Sequence, residues 1–370
     1  MGLETMTNAE RASLTGKIDR ITARAVNAPI EAPVKTASGE IRQAPLVVID
    51  IDTSDGIRGT SYIFAYTPLT LRALVTFMED LGPTLIGEPA APASIYKECE
   101  GRFRLLGRQG VVGMALSGID MALWDALAKA AGVPLAVLLG ADIAPIEAYD
   151  SYGVVDPKRD AKRLETTLER GFGAIKIKLG LGAISDDVHT LSELRQVVGP
   201  EVRIMVDYNQ SLGVTEALER IEAITEFDIT WVEEPVPAED LTGHALVREK
   251  SPIPIQTGEN WWFPEGAANS IAAGASDLVM PDLMKIGGVT GFMRAAAMAQ
   301  AASLPVSSHL FIEASAHVLA ATSNIQYLEY LDFAGSVLKE RMLPENGRVI
   351  AHGPGLGLDW DEDALKHYAA

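Results

Sequence analysis

Seven side chains able to carry charge recur through the second half of the chain at nearly even intervals. Lys178, Asp207, Glu233, Glu259, Asp282, His309 and Glu329 stand 29, 26, 26, 23, 27 and 20 residues apart. Three in succession, Asp207, Glu233 and Glu259, are carboxylates. Brought together in a dry site they repel one another unless a divalent cation lies among them. An all-oxygen donor set selects a hard cation, with Mg²⁺ favoured where waters and substrate oxygens complete an octahedron. Asp282 and His309 close the motifs MPDLMK and SSHL. On neighbouring strands, about 4.8 Å apart, the aspartate can fix one imidazole nitrogen and leave the other free as a base. Lys176 and Lys178, in GAIKIKLG (173–180), share one face of a short strand. Each raises the cost of protonating the other, and an amine drawn toward neutrality can also serve as a general base. Two bases flanking a cation-bound carboxylate can move a proton at carbon.

Such residues converge only if the chain brings the ends of successive elements together. From residue 146 the sequence alternates strand and helix. The strands read are 146–152, 174–179, 202–208, 229–234, 253–259, 277–283, 305–310 and 325–331. Helical patterns such as RDAKRLETTLERG and GFMRAAAMAQAAS separate them. Eight such units predict a parallel sheet closed into a barrel, whose chemistry lies at the C-terminal strand ends. These charged side chains, with Ser151 and Asn209, fall at those ends. Lys178 and His309 then sit on strands two and seven, nearly opposite each other across the mouth. Before residue 140 the pattern is α+β. A hairpin spans 44–66 with a TSDG turn, a helix 67–87, and helices with small packing residues 110–140. Asp120 and Asp125 in that stretch read as caps or structural hydrogen-bond acceptors. The expected division is a capping domain at 1–140, a barrel at 141–345 and a segment at 346–370 that returns to the capping domain.

The chain has 370 residues, 48% hydrophobic, with a net charge of −19. That acidity excludes a global basic footprint for nucleic acid, so an anionic substrate needs positive charge made locally. One cysteine, Cys99, rules out an intrachain disulfide framework and fits a reducing compartment. The first twenty residues are polar and lack a signal-peptide core, and no run of 18 apolar residues suggests a membrane span. These features predict a cytoplasmic protein without nucleic-acid or membrane partners. Of the six histidines, His189, His244, His317, His352 and His367 read as surface or packing residues.

Taken together, KIK (176–178), VDYNQS (206–211), WVEEP (231–235), GENW (258–261), MPDLMKIGGVTG (280–291), SSHLF (307–311) and LEYLDFAGS (328–336) resemble the mandelate racemase subgroup of the enolase superfamily. The likeness extends to SYIFAYTP (61–68) and SGIDMALWDAL (117–127), nearly the whole chain. The resemblance implies a (β/α)7β barrel with an α+β capping domain built from both termini. It implies Mg²⁺ on Asp207, Glu233 and Glu259, and removal of a proton α to a carboxylate to give an enolate held by the metal. It makes Lys178 the base on one face and His309, paired with Asp282, the base on the other. Lys176 neutralises the substrate carboxylate, Glu329 is a protonated acid that hydrogen-bonds the enediolate, Asn209 meets the α-hydroxyl, and Ser151 contacts the carboxylate. Lys285 matches a supporting lysine. Substrate choice is expected in a capping loop at 28–43 and in Tyr66, with Val34, Ile41 and Leu331 as an apolar pocket. Lys35, Ser38, Tyr152 and Gly153 depart from what a mandelate pocket leads one to expect. The implied reaction is racemisation or epimerisation of an α-hydroxy acid, with dehydration of a hydroxy or sugar acid as the alternative. Also weighed are a phosphate site at KIGG (285–288) and a non-catalytic scaffold. A homo-oligomer, such as an octamer, and a small carboxylate substrate complete what the resemblance implies.

Overall fold

The computed structural model describes residues 15–36 and 39–370. Three antiparallel strands begin it: β1 (Ile18–Thr36), β2 (Gly39–Thr53) and β3 (Arg58–Phe64), in the order β1-β2-β3. The central strand β2 is buried without interruption from Ala44 to Ile51. That explains its apolar run in place of an alternating pattern. One face is covered by α1 (Pro68–Leu81) and α3 (Val111–Ala130), with α2 (Pro92–Arg102) beside α3. Although α3 is long and apolar enough to cross a membrane, most of it is buried within the protein.

The stretch read as a capping loop, 28–43, is instead a β-ribbon. Val34 pairs with Ile41, Lys35 with Glu40 and Thr36 with Gly39. Its prolines disguised it: the register breaks between Pro29 and Val34, and pairing resumes beyond Pro33. Ser38 lies outside the described residues.

After α4 (Leu135–Leu138), parallel strands β4 (Ile146–Ser151), β5 (Ala174–Lys178), β6 (Arg203–Asp207), β7 (Ile229–Glu233), β8 (Ile255–Thr257) and β9 (Leu278–Val279) pair in sequence, and β10 (Leu328–Tyr330) pairs with β4. The seventh predicted strand, 305–310, forms only isolated parallel bridges. It still closes the ring. Ser307 N donates to Val279 O at 2.8 Å, and Gln326 N donates to Val306 O at 2.7 Å. Pro305 has no N–H to contribute, which shortens the ladder. The outer helices are α5 (Ala161–Glu169), α6 (Ile184–Val198), α7 (Val214–Ala223), α8 (Leu241–Lys250), α9 (Phe263–Ala273), α10 (Leu283–Ile286), α11 (Gly288–Ala301) and α12 (Ile312–Ala320). The architecture is a (β/α)7β barrel beside an α+β cap. A short strand, β11 (Arg348–Val349), runs antiparallel to β4 and was not foreseen. The chain then crosses back to the cap, ending in α13 (Glu362–His367). Trp360 Nε1 donates to Asp50 Oδ1 (3.2 Å), Arg24 pairs with Glu362 (2.6 Å), and Asn27 N donates to Tyr368 O (2.9 Å).

Asp120 and Asp125 are structural acceptors that join the layers. Asp120 receives Thr290 N at 2.9 Å and Thr290 Oγ1 at 2.6 Å, so a carboxylate of α3 sits at the start of α11. The turn before that helix needs the left-handed backbone of Gly287 and Gly288, and a side chain on Gly288 would strike Asp120. The KIGG turn thus faces an internal carboxylate. Asp125 receives Thr60 N (2.7 Å) and Leu356 N (2.6 Å), and pairs with Lys129 (2.6 Å). His317 is also structural: buried, it accepts Ala136 N at 3.1 Å, and burial pushes its pKa down to about 4.

Burial pushes the Asp120 carboxyl up to about 7, against the pull of its bonds from Thr290. Its folded pKa therefore lies above its unfolded one. Between about pH 4 and 7 the folded state holds a proton that the unfolded state has released, and stability falls as pH rises, by up to about 1.4 kcal/mol per unit. Asp120→Asn keeps an acceptor for Thr290 N but cannot titrate. Denaturant midpoints measured across that window should fall less steeply with rising pH in the variant than in the parent.

Candidate active site

Strand register places the site. Lys178 lies opposite Asp207, and Asp207 opposite Glu233, so three consecutive strands end at one level. Side chains on alternate residues point into the barrel, and there they meet. Lys178 Nζ is bonded to Asp207 Oδ2. Lys176 Nζ lies 2.5 Å from Glu233 Oε1 and 2.9 Å from Glu329 Oε1. Ser151 Oγ donates to Glu329 Oε1 (2.8 Å), and Leu310 N donates to Glu329 Oε2 (2.9 Å). Asn209 gives both its N (2.7 Å) and its Nδ2 (2.8 Å) to Asp207. His309 Nδ1 meets Asp282 Oδ2 at 2.6 Å, while its Nε2 lies 3.2 Å from Glu259 Oε2. Asp282 also accepts Met284 N at 2.7 Å, which caps α10 and holds the carboxylate still.

Asp207, Glu233 and Glu259 are all buried and offer ligand atoms within 4.8 Å of one another. Burial pushes the Glu233 carboxyl well up; Lys176 opposes that, while Asp207 and Glu259 add to it. Like charges so close, with only oxygen donors, fit a hard divalent cation.

These contacts bear on the charges of the two lysines and of Glu329. The lysines were expected to depress each other's pKa. Burial does lower it, and Lys176 lowers Lys178 further, but each ammonium is paired directly with carboxylates. Glu233 and Glu329 therefore carry Lys176 well above the ordinary value, and Asp207 raises Lys178. Glu329 was expected as a protonated acid. Burial favours that form, but Lys176 and His309 outweigh it and bring the carboxyl down to about 2. His309 is driven down by burial but up, to about 9, by Glu259, Glu329 and Asp282.

The substrate-side residues are less convergent. Tyr66, at the end of β3 in a left-handed conformation, is 41% exposed and places its ring 4.8 Å from Lys285 Nζ. Lys285 in turn donates to Asn260 Oδ1 at 2.5 Å. Val34 and Leu331 line a cleft of about 420 Å³ with Arg163, Arg170, Asp150 and Tyr330. The last two alternate with the inward-facing Ser151 and Glu329, so this cleft lies on the outer side of β4 and β10. Ile41 is the cross-strand partner of Val34 in the ribbon.

Residues not singled out from the sequence complete the site. Asn260 Nδ2 bridges Glu234 Oε2 (2.6 Å) and Glu259 Oε1 (3.2 Å). Burial and Glu259 push Glu234 up to about 7, although the Asn260 hydrogen bond opposes them. Trp231 Nε1 donates to Glu233 Oε2 at 3.2 Å. Its ring stands edge-on to Tyr149 at 5.6 Å, and Lys176 Nζ lies 5.4 Å over the Tyr149 ring. The doubled carboxylate in WVEEP and the amide in GENW were the available signals. The aromatic floor had none, because an inward tryptophan reads as core.

Residues 159–364 match the enolase C-terminal domain-like family, and residues 19–140 match the mandelate racemase / muconate lactonizing enzyme N-terminal domain. The chain belongs to the mandelate racemase subgroup of the enolase superfamily. Among solved structures of this superfamily, an enolase from Bradyrhizobium complexed with magnesium and mandelic acid is 52% identical, with a TM-score of 0.94 over 96% of this chain and 99% of that one. A racemase from Streptomyces coelicolor with bound magnesium is 29% identical, with a TM-score of 0.90 over 95% of this chain and 100% of that one. The L-talarate/galactarate dehydratase of Salmonella typhimurium is 30% identical over 373 residues, covering 97% of this chain and 93% of the dehydratase.

In this member of the mandelate racemase subgroup, the indole N–H of Trp231 supports one oxygen of a candidate ligand carboxylate. Trp231→Phe should cost about 1–3 kcal/mol of stability, by leaving that buried oxygen without its donor. It should also weaken divalent-cation affinity by about tenfold, as loss of a ligand's hydrogen-bond partner does. Thermal melts and calorimetric titration with Mg²⁺ measure the two effects.

Proposed function

We propose that the protein is a magnesium-dependent racemase or epimerase of an α-hydroxy acid of the mandelate type. The observation that carries this reading is the placement of two candidate bases around one carboxylate cluster. Lys178 ends β5, and His309, oriented by Asp282, ends the segment between β9 and β10. Around the closed ring these lie three strands apart on one side and five on the other.

Asp207, Glu233 and Glu259 would hold the magnesium ion, which supplies positive charge where a carboxylate becomes a dianion. Lys176 binds the substrate carboxylate with Ser151, and Asn209 meets the α-hydroxyl. Lys178 Nζ takes the α-proton of one enantiomer, and His309 Nε2 returns a proton to the opposite face. The roles reverse for the other enantiomer. Lys178 Nζ is held as an ammonium by Asp207, so it must leave that carboxylate and lose its proton before it can take the α-proton. Glu329 acts here as a carboxylate that holds Lys176, Ser151 and the Leu310 N–H in place.

A second reading, dehydration of a hydroxy or sugar acid, is supported by the likeness to the dehydratase. Here the same proton removal is followed by loss of a β-hydroxyl. A screen of α-hydroxy acids and sugar acids in D₂O with Mg²⁺ separates the two. Deuterium at Cα without loss of substrate supports racemisation, whereas a 2-keto product supports dehydration.

His309→Asn should stop interconversion in both directions, yet leave Lys178 able to exchange the α-proton of one enantiomer. Lys178→Met should confine exchange to the other enantiomer. NMR of each pure enantiomer in D₂O reads this out, and parent-rate interconversion by either variant would refute the two-base reading. Glu233→Gln should abolish magnesium-dependent activity and magnesium binding while the protein remains folded, since barrel stability resides in the packed layers below the rim. Full activity after exhaustive chelation would exclude the metal's role.

A further inference from the structure

Residues 151–153, at the mouth end of β4, touch the site one after another. Ser151 Oγ donates to Glu329 (2.8 Å), Tyr152 N donates to Lys176 O (2.8 Å), and Gly153 O accepts Lys178 N (3.2 Å). On the other side of Gly153 lies the β1–β2 ribbon. Val154 N donates to Lys35 O at 2.9 Å. A Cβ on Gly153 would stand 2.4 Å from Lys35 O, 2.5 Å from Lys35 N and 3.1 Å from Lys35 C. These are backbone atoms, so they can yield only if the ribbon moves. Gly153 does not have a left-handed backbone, and what excludes a side chain there is the ribbon itself. The Lys35 side chain, by contrast, is exposed.

We propose that Gly153 is a positioning residue that seats the ribbon on the barrel mouth and thereby sets which acids the rim accepts. Because it lacks a side chain, the ribbon backbone can lie directly against the turn whose carbonyl accepts the Lys178 N–H. One residue therefore registers the cap against the strand that carries a candidate base. Specificity follows from how closely the ribbon approaches the mouth, and the Lys35 side chain has no part in it. This rests on the racemase reading only for its kinetic consequence.

The test is Gly153→Ala, with Gly213→Ala as control, because a Cβ on Gly213 meets nothing within 4 Å. Hydrogen exchange on the Mg²⁺-loaded protein without substrate should show Val154 N–H protection falling by about tenfold or more while Lys178 N–H stays protected, since local openings report the contact that was lost. With mandelate as substrate, KM should rise by about tenfold while kcat changes by less than about twofold, the mark of lost binding rather than lost chemistry. The control should change neither. Unchanged protection at Val154, or equal loss at Lys178, would overturn the seat and leave Gly153 an ordinary turn residue. An unchanged KM beside a deprotected Val154 would overturn its effect on specificity. If the parent fails to racemise mandelate, that counts against the racemase reading alone, because the exchange measurement needs no substrate and still decides the seat.

Discussion

Buried charge at the barrel mouth is the constraint that organises the protein. Asp207, Glu233, Glu259, Asp282 and Glu329 are all buried within one rim, with Lys176, Lys178 and His309 set against them. An ionised group withdrawn from water costs several kcal/mol unless it is paired and hydrogen-bonded. Each carboxylate here has such partners, but the partners come from strands that are remote in sequence. The ring must therefore close, and must close in register, before any of these groups can be buried.

That requirement explains features outside the rim. The seventh segment barely forms a strand, yet its few backbone bonds carry His309 to Asp282. Below the rim, Tyr149, Trp231 and Tyr327 fill the barrel interior. The tryptophan adds a polar contact upward to Glu233, so packing and ligand orientation are served by the same ring. The cap is fastened by buried aspartates on α3: Asp120 holds the start of α11, while Asp125 holds β3 and the returning tail. These links let the cap sit at a fixed height above the mouth, which is what any contact between the ribbon and a substrate requires.

The Lys35 backbone, Tyr152 and Gly153 meet at one place, where the ribbon lies on the turn after β4. Chemistry common to a superfamily demands a fixed set of donors and charges. Substrate choice can change at the contact between two layers without disturbing them.

The alternation of eight strand and helix patterns was enough to predict the barrel, and the even spacing of the rim residues agreed with it, because each βα unit has nearly constant length and delivers its strand end to the same rim. The three carboxylates and the Asp282–His309 pair were legible for the same reason: type and period together imply convergence. The ribbon at 28–43 was hidden, since its prolines mark a register break that only pairing with β2 reveals. β11, two residues long, has no pattern of its own. The protonation states were also hidden. Whether two lysines lower each other's pKa or are raised by carboxylates depends on distances between strands, and Lys176 proved nearest to Glu233 and Glu329. The same is true of Asn260 and Trp231, which became site residues through what they touch. Local sequence determined which groups reach the rim; the closed ring decided which of them meet, because electrostatic and hydrogen-bond energies depend on separations of a few ångströms that no linear spacing encodes.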